Sequence, residues 1–253
     1  MKRAVILTYK ATSKGAKYLT NHLEGRMIIQ RESIRPDECI INWGGGLFSS
    51  RDWNPEWLNN PSKVVNCVEK IKAFQLFAGA DVPHPAWTFH GSIARQWLDA
   101  GHTILARATS TGMMGRGISL LNNPRQQIPE AEFYTKHIMH TDEYRVHVFK
   151  GMLVNLGKKV QLRPNANMMV RNADERDWDF EHVETAPYPV IQAGIAAVEA
   201  LGLDFGAADV GFRARDNKAY VFEVNSAPGV GHNTITKFAN VFRQYLRRLP
   251  LSA

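Results

Sequence analysis

The sequence predicts an α/β protein with a short α/β unit over residues 1–65 and a larger α+β part after it. Three observations carry that prediction. Short apolar runs alternate with a helical segment near the N-terminus. Apolar residues recur at helical spacing over 61–79 and again over 189–201. Near the C-terminus two strand-like segments, 207–213 and 219–225, flank a turn-forming stretch.

Residues 4–8 form a buried strand, 14–23 a short helix, 27–29 a second strand and 39–43 a third, stopped by Gly44-Gly45-Gly46. Glycines after a strand can carry a phosphate-binding turn, but the G-x-G-x-x-G spacing is absent, so a tight turn lining a cleft is expected. Asn60-Pro61-Ser62 opens one helix, in which Val64, Cys67 or Val68, Ile71, Phe74 and Phe77 or Ala78 share a face and Gly79 is the stop. After Val82-Pro83-His84-Pro85, strands are expected at 104–108, 133–138, 144–149 and 152–156, the last two as a hairpin around Lys150-Gly151. Helix 189–201 places Ile191, Ile195, Val198 and Leu201 on one side, with Gly202 as its stop. Helix 236–248 closes the chain.

A chain that is 44% hydrophobic and 22% charged has the composition of a globular protein and argues against disorder. No apolar run approaches the ~20 residues that cross a bilayer. The start Met1-Lys2-Arg3 is basic, but the apolar stretch behind it is too short for a signal peptide. Cys39 and Cys67 lack metal-ligand spacing and read as reduced thiols of a cytoplasmic protein. The net charge of +7 suits a polyanion or the phosphates of a nucleotide, and by itself chooses neither. The knot at Arg243, Arg247 and Arg248 reads as the solvated face of the last helix.

The chemistry concentrates near the C-terminus. In strand 219–225, alternation places Val221, Glu223 and Asn225 on one face and Tyr220, Phe222 and Val224 on the other. Asp209 sits in a similarly apolar strand. Two carboxylates and an amide oxygen on one sheet face are costly to bury unless they hold something, and hard oxygen donors suit Mg²⁺ with phosphate oxygens. A three-residue loop, 216–218, would set Asp209 opposite Asn225 with Glu223 diagonal to it. An even-length loop would turn Asp209 to the wrong side, so the metal reading requires an odd one. The alternative is that the acids pair with Arg213 or Lys218.

Asp209, Glu223-Val224-Asn225 and the following Ser226-Ala227-Pro228-Gly229 resemble the closing signature of ATP-grasp enzymes, a superfamily that includes D-alanine–D-alanine ligase, glutathione synthetase and the ligase that adds glutamate to a ribosomal protein. Residues 143–149 and 201–210 resemble the small ATP-grasp proteins encoded by bacteriophages. The likeness runs from about Lys70 to Gly229. It implies an ATP-grasp domain over 66–253, with a lid over 85–138 and a metal and substrate part over 139–253. It implies Asp209, Glu223 and Asn225 as metal ligands. Lys70 and Arg107 are implied phosphate contacts, Arg107 standing where many members have lysine. Ser110 to Gly117, with Gly112, Gly115, Arg116 and Gly117, resembles the glycine-rich loop that closes on phosphates. Strand 134–138, with Lys136 and Ile138, resembles the hinge whose backbone reads adenine. Glu143 matches the ribose contact.

By the same likeness the reaction is ATP-dependent ligation of a carboxylate to an amine through an acyl phosphate. Arg145, Arg107 and Asn225 would assist it, and Arg145, Lys159, Arg171, Arg213 and Ser226 are candidate substrate contacts. The implied cofactors are ATP and two Mg²⁺ ions, which Mn²⁺ can replace. The implied partners are a small molecule or peptide bearing a carboxylate, an amine, and a second copy in a homodimer. Neither a membrane nor a nucleic acid is an expected partner, although the alternative reading is a degenerate ATP-grasp module that binds a nucleotide or nucleic acid without ligating.

Overall fold

The computed structural model describes residues 1–30, 32–45, 56–111, 117–166, 177–229 and 231–250. Strands β1 (Arg3–Leu7), β2 (Arg26–Ile28), β3 (Glu38–Asn42) and β4 (Glu56–Leu58) form a parallel sheet in the order β2-β1-β3-β4. Helix α1 (Lys14–His22) starts where the Ser13 hydroxyl accepts from the Ala16 amide at 3.4 Å. It lays Ala16 and Leu19 on this sheet.

The single helix expected from Asn60 to Gly79 is two, α2 (Pro61–Val68) and α3 (Lys70–Gly79). Asn60 caps α2 through its side chain and Pro61 occupies the first turn, as the sequence suggests. The chain then turns extended at Glu69, with ψ at 106°. No proline or glycine causes this break. Instead the Lys70 amide donates to the Ser110 carbonyl at 3.1 Å, a tertiary bond that displaces one internal to the helix.

A second, antiparallel sheet has the order β5-β8-β6-β7, from β5 (Trp87–Thr88), β6 (Ile104–Arg107), β7 (Ile118–Leu121) and β8 (Phe133–Lys136). Helix α4 (Gly91–Asp99) covers one face, packing Ala94 and Leu98 on Ile104, Ala106 and Tyr134. The paired Arg107 and Phe133 lie on the other face, where Phe133 joins the main core beside Phe74.

The third sheet is antiparallel, in the order β11-β10-β9-β12-β13, from β9 (Asp142–Phe149), β10 (Met152–Gln161), β11 (Trp178–His182), β12 (Phe205–Arg213) and β13 (Lys218–Asn225). The predicted β9–β10 hairpin is present, with φ positive at both Lys150 and Gly151, as a two-residue turn of this hand needs. Helix α5 (Tyr188–Ala200) covers one face through Val190, Ala193, Ala197 and Val198. That face is rotated from the expected one, and Ile191 and Ile195 are only half-buried. Gly194 sets the spacing, since a Cβ there would lie 2.6 Å from Val146 Cβ. On the opposite face, one end of the sheet is closed by α6 (His232–Arg248), whose Phe238 and Phe242 pack on Phe149 and Phe205.

The β12–β13 connection corrects the sequence reading. Arg213 pairs with Lys218 around a four-residue loop, 214–217, made of a 3-10 turn and a left-handed Asn217. An even loop of this kind was expected to turn Asp209 to the wrong side. A β-bulge at Phe222 adds one residue to β13 and shifts the register, so Asp209 faces Glu223 rather than Asn225. Val221 consequently points into the α5 core together with Val224, not out with Glu223. The parity that the loop denies is restored by the bulge.

Candidate active site

Cross-strand partners share a sheet face, and the registers line up two rows on the face opposite α5, the second of them reaching α6 through Asn155 and His147. One row is Gly157, Arg145, Asp209 and Glu223, from β10, β9, β12 and β13. The next is Asn155, His147, Ala207 and Asn225. Gly157 leaves room for Phe180 of β11, which lies 4.1 Å under the Arg145 guanidinium. Phe180 was not anticipated, although the alternation Trp178-Asp179-Phe180-Glu181-His182 is a strand pattern.

Asp209 does not pair with Arg213 or Lys218. Arg145 grips it with two hydrogen bonds, Nε to Oδ1 at 2.7 Å and Nη2 to Oδ2 at 2.8 Å. Burial pushes the Asp209 carboxyl up, and the Arg145 charge outweighs this to hold it below the usual carboxylate range. Burial opposes the Arg145 charge in turn, while Asp209, Glu223 and Glu143 raise its pKa above the ordinary arginine value. Arg213 sits at the hairpin end, held by Asp216 and the Tyr220 hydroxyl, and does not join this group. Lys159 bonds Glu143 at 2.7 Å, with His140 on the other oxygen at 3.6 Å. Glu143 and Arg145 therefore take separate partners instead of each other.

Glu223 is the half-exposed acid of the row. Lys70 approaches it to 3.6 Å, and the Asn225 amide nitrogen donates to its Oε1 at 3.2 Å. Ser226 follows and hydrogen-bonds the Cys67 thiol, which burial pushes up. Arg107, on β6 of the second sheet, lies near enough to Glu223 to feel its charge. Its Nε is buried and, among the described residues, has no hydrogen-bond partner. Burial depresses its pKa, and only the field of Glu223 works against that. A buried guanidinium N–H without an acceptor is expensive unless an anion arrives.

Lys136 directs its ammonium to the Trp97 ring on the α4 side, and its amide donates to the Ala86 carbonyl at 2.9 Å. The Ile138 carbonyl accepts from His140. Ser110 and Gly117 frame the β6–β7 connection, the Ser110 amide donating to Glu132 and the Gly117 carbonyl accepting from Ala108. Gly112, Gly115, Arg116 and Arg171 lie outside the described residues. Among the described residues no three His, Cys, Asp or Glu side chains converge on one point. A divalent ion here would take Asp209, Glu223 and Asn225 Oδ1 together with phosphate oxygens, a donor set that fits Mg²⁺.

No family model and no curated protein matches this sequence. Solved structures do match over nearly the whole chain. The ATP-grasp ligase PsnB, complexed with a minimal precursor, superposes with a TM-score of 0.68 at 12% identity, covering 96% of this chain and 99% of that one. The chain has the ATP-grasp fold. A Chryseobacterium gregarium RiPP-associated ATP-grasp ligase, in complex with ADP and a leader and core peptide, gives 0.68 at 13% identity over 97% of both chains. D-alanine–D-alanine ligase from Bacillus anthracis gives 0.61 at 11%, covering 97% of this chain and 99% of that one. One sheet bears Arg107 and another bears the Arg145–Asp209–Glu223 row. Lys70 links them, through its amide to Ser110 and its ammonium to Glu223.

Proposed function

We propose that this protein is an ATP- and Mg-dependent ligase that joins a carboxylate to an amine. The observation that carries the reading is Arg107, whose buried Nε has no hydrogen-bond partner among the described residues, in the field of Glu223 and its row within the ATP-grasp fold. In this reading Arg107 and Lys70 receive the ATP phosphates. Asp209, Glu223 and Asn225 hold Mg²⁺, which when bound neutralises phosphate charge.

A carboxylate oxygen of the first substrate attacks the γ-phosphorus, forming an acyl phosphate and releasing ADP. The amine nitrogen of the second substrate then attacks the acyl carbon, phosphate leaves, and the nitrogen loses a proton to give the amide. The chain supplies no covalent nucleophile. Its residues orient the phosphates and bind charge that grows in the transition state. Arg145 and Lys159, both over the Phe180 ring, are neutralised by Asp209 and Glu143, so in this reading they hold the two acids in place. PsnB and the Chryseobacterium enzyme were solved with precursor or leader and core peptides, which favours a peptide as the carboxylate partner here.

The test is ADP release in a coupled assay against pools of amino acids and peptides. The proposal expects ADP only when a carboxylate and an amine are both present, with an amide-linked product in the mass spectrum. ADP formation without an amine-dependent product would make the protein a kinase and sink the ligase reading.

A further inference from the structure

The fold gathers positive charge that the sequence scatters. Helices α1 and α6 pack on each other although His22 and Arg243, which meet, are 221 positions apart. Neither helix contains an aspartate or glutamate. Together with the segment before α1 they carry Lys10, Lys14, Lys17, Arg243, Arg247 and Arg248. Among the described residues none of these six forms an ion pair, whereas Lys2, Arg3 and Arg26 of the same unit all do. The nearest acid in sequence is Glu24, two residues beyond the end of α1.

Rings are set among the charges. Tyr18 is 45% exposed, and its ring lies 5.7 Å from His232 and 6.1 Å from His22. Tyr9 is 62% exposed beside Lys10, next to Gly44 and Ala227 at the cleft end of the face. From His232 to Arg247 this surface runs about 22 Å along α6 at the helical rise. Fixed cations alone would suit any polyanion. Exposed aromatic faces between them add a stacking platform, which acidic polypeptides do not use and unpaired bases do.

We propose that the α1–α6 face binds single-stranded nucleic acid, with Lys14, Lys17, Arg243 and Arg247 on phosphates and Tyr18 under a base. This does not rest on the ligase reading. Four phosphate contacts predict a salt slope of about −2.8, or roughly a 50-fold loss of affinity between 50 and 200 mM NaCl. The experiment is fluorescence anisotropy of a labelled dT12 with the full chain, first in NaCl alone and then with Mg-ATP added. Binding at 50 mM NaCl with that slope is expected. Lys14→Glu/Lys17→Glu/Arg247→Glu should weaken it at least tenfold, and Tyr18→Ala roughly tenfold, with melting temperatures unchanged because all four positions are on the surface. Three results would overturn the proposal: no binding at 50 mM NaCl, displacement of dT12 by Mg-ATP, or a labelled oligoglutamate of the same length that binds as tightly and ignores Tyr18→Ala.

Discussion

In Asp209→Ala the Arg145 guanidinium keeps its place over Phe180 and loses both charge-assisted hydrogen bonds. Arg145 is 19% exposed and Asp209 8%, so solvent does not fully repay the loss. Breaking a buried pair from one side costs about 3–5 kcal/mol, and the partial exposure of Arg145 places this case near 3. For a chain of this size that is a fall in melting temperature of roughly 6–12 °C. Urea denaturation of Asp209→Ala, Arg145→Met and the double variant measures it. The double variant should be more stable than the two single losses add up to, with a coupling of about 2 kcal/mol or more. A cost below about 1 kcal/mol for Asp209→Ala, or strict additivity, would refute the claim that this pair organises the row. The same numbers show why lost activity in Asp209→Ala cannot be assigned to a metal alone, since Arg145 is disturbed too.

Arg107→Met should have opposite effects on stability and binding. Removing a buried N–H that has no acceptor should stabilise the free protein by about 1–2 kcal/mol in thermal melts, while ATP affinity falls at least tenfold in calorimetry. The Asn59 side chain makes three hydrogen bonds to the backbone of Asp204 and Phe205, at 2.8, 2.8 and 3.1 Å, from a position at positive φ. Asn59→Ala strands those groups and should cost about 3–5 kcal/mol, read as a drop in the urea midpoint. Burial, assisted by Arg145, depresses His147 to about 4. Between its ordinary pKa and 4 the unfolded chain binds the proton and the native state does not, so stability is full above about pH 6.5 and falls as pH drops. The loss reaches about 3 kcal/mol near pH 4, and His147→Leu should flatten that slope in urea titrations at pH 6.5, 5.5 and 4.5.

The acids of the candidate site were legible because Asp209, Glu223 and Asn225 stand out in strands that are otherwise apolar. Their shared face was legible only in part. Phe222 looks like one more alternating residue, and nothing local marks it as the extra residue of a bulge. The grip of Arg145 on Asp209 depends on the register of two strands 64 positions apart, which periodicity does not reach. The break at Glu69 was invisible for a similar reason, because the competing bond comes from Ser110. Hairpin 149–152 was readable, since Lys150-Gly151 carries its own turn geometry. The basic face of α1 and α6 was not, because no local pattern joins the two ends of the chain.

The most direct test of the Mg-ATP site is calorimetric titration of ATP into the protein with and without Mg²⁺, for the wild type and Glu223→Gln. Glu223 is the suitable probe because its side chain is 39% exposed, Lys70 stands off at 3.6 Å, and glutamine keeps an oxygen for the Asn225 amide, so the change spares the fold. The account predicts tight, Mg-dependent binding by the wild type and loss of the Mg-dependent part in Glu223→Gln at an unchanged melting temperature. Equal Mg-dependent affinity in the two proteins would contradict it.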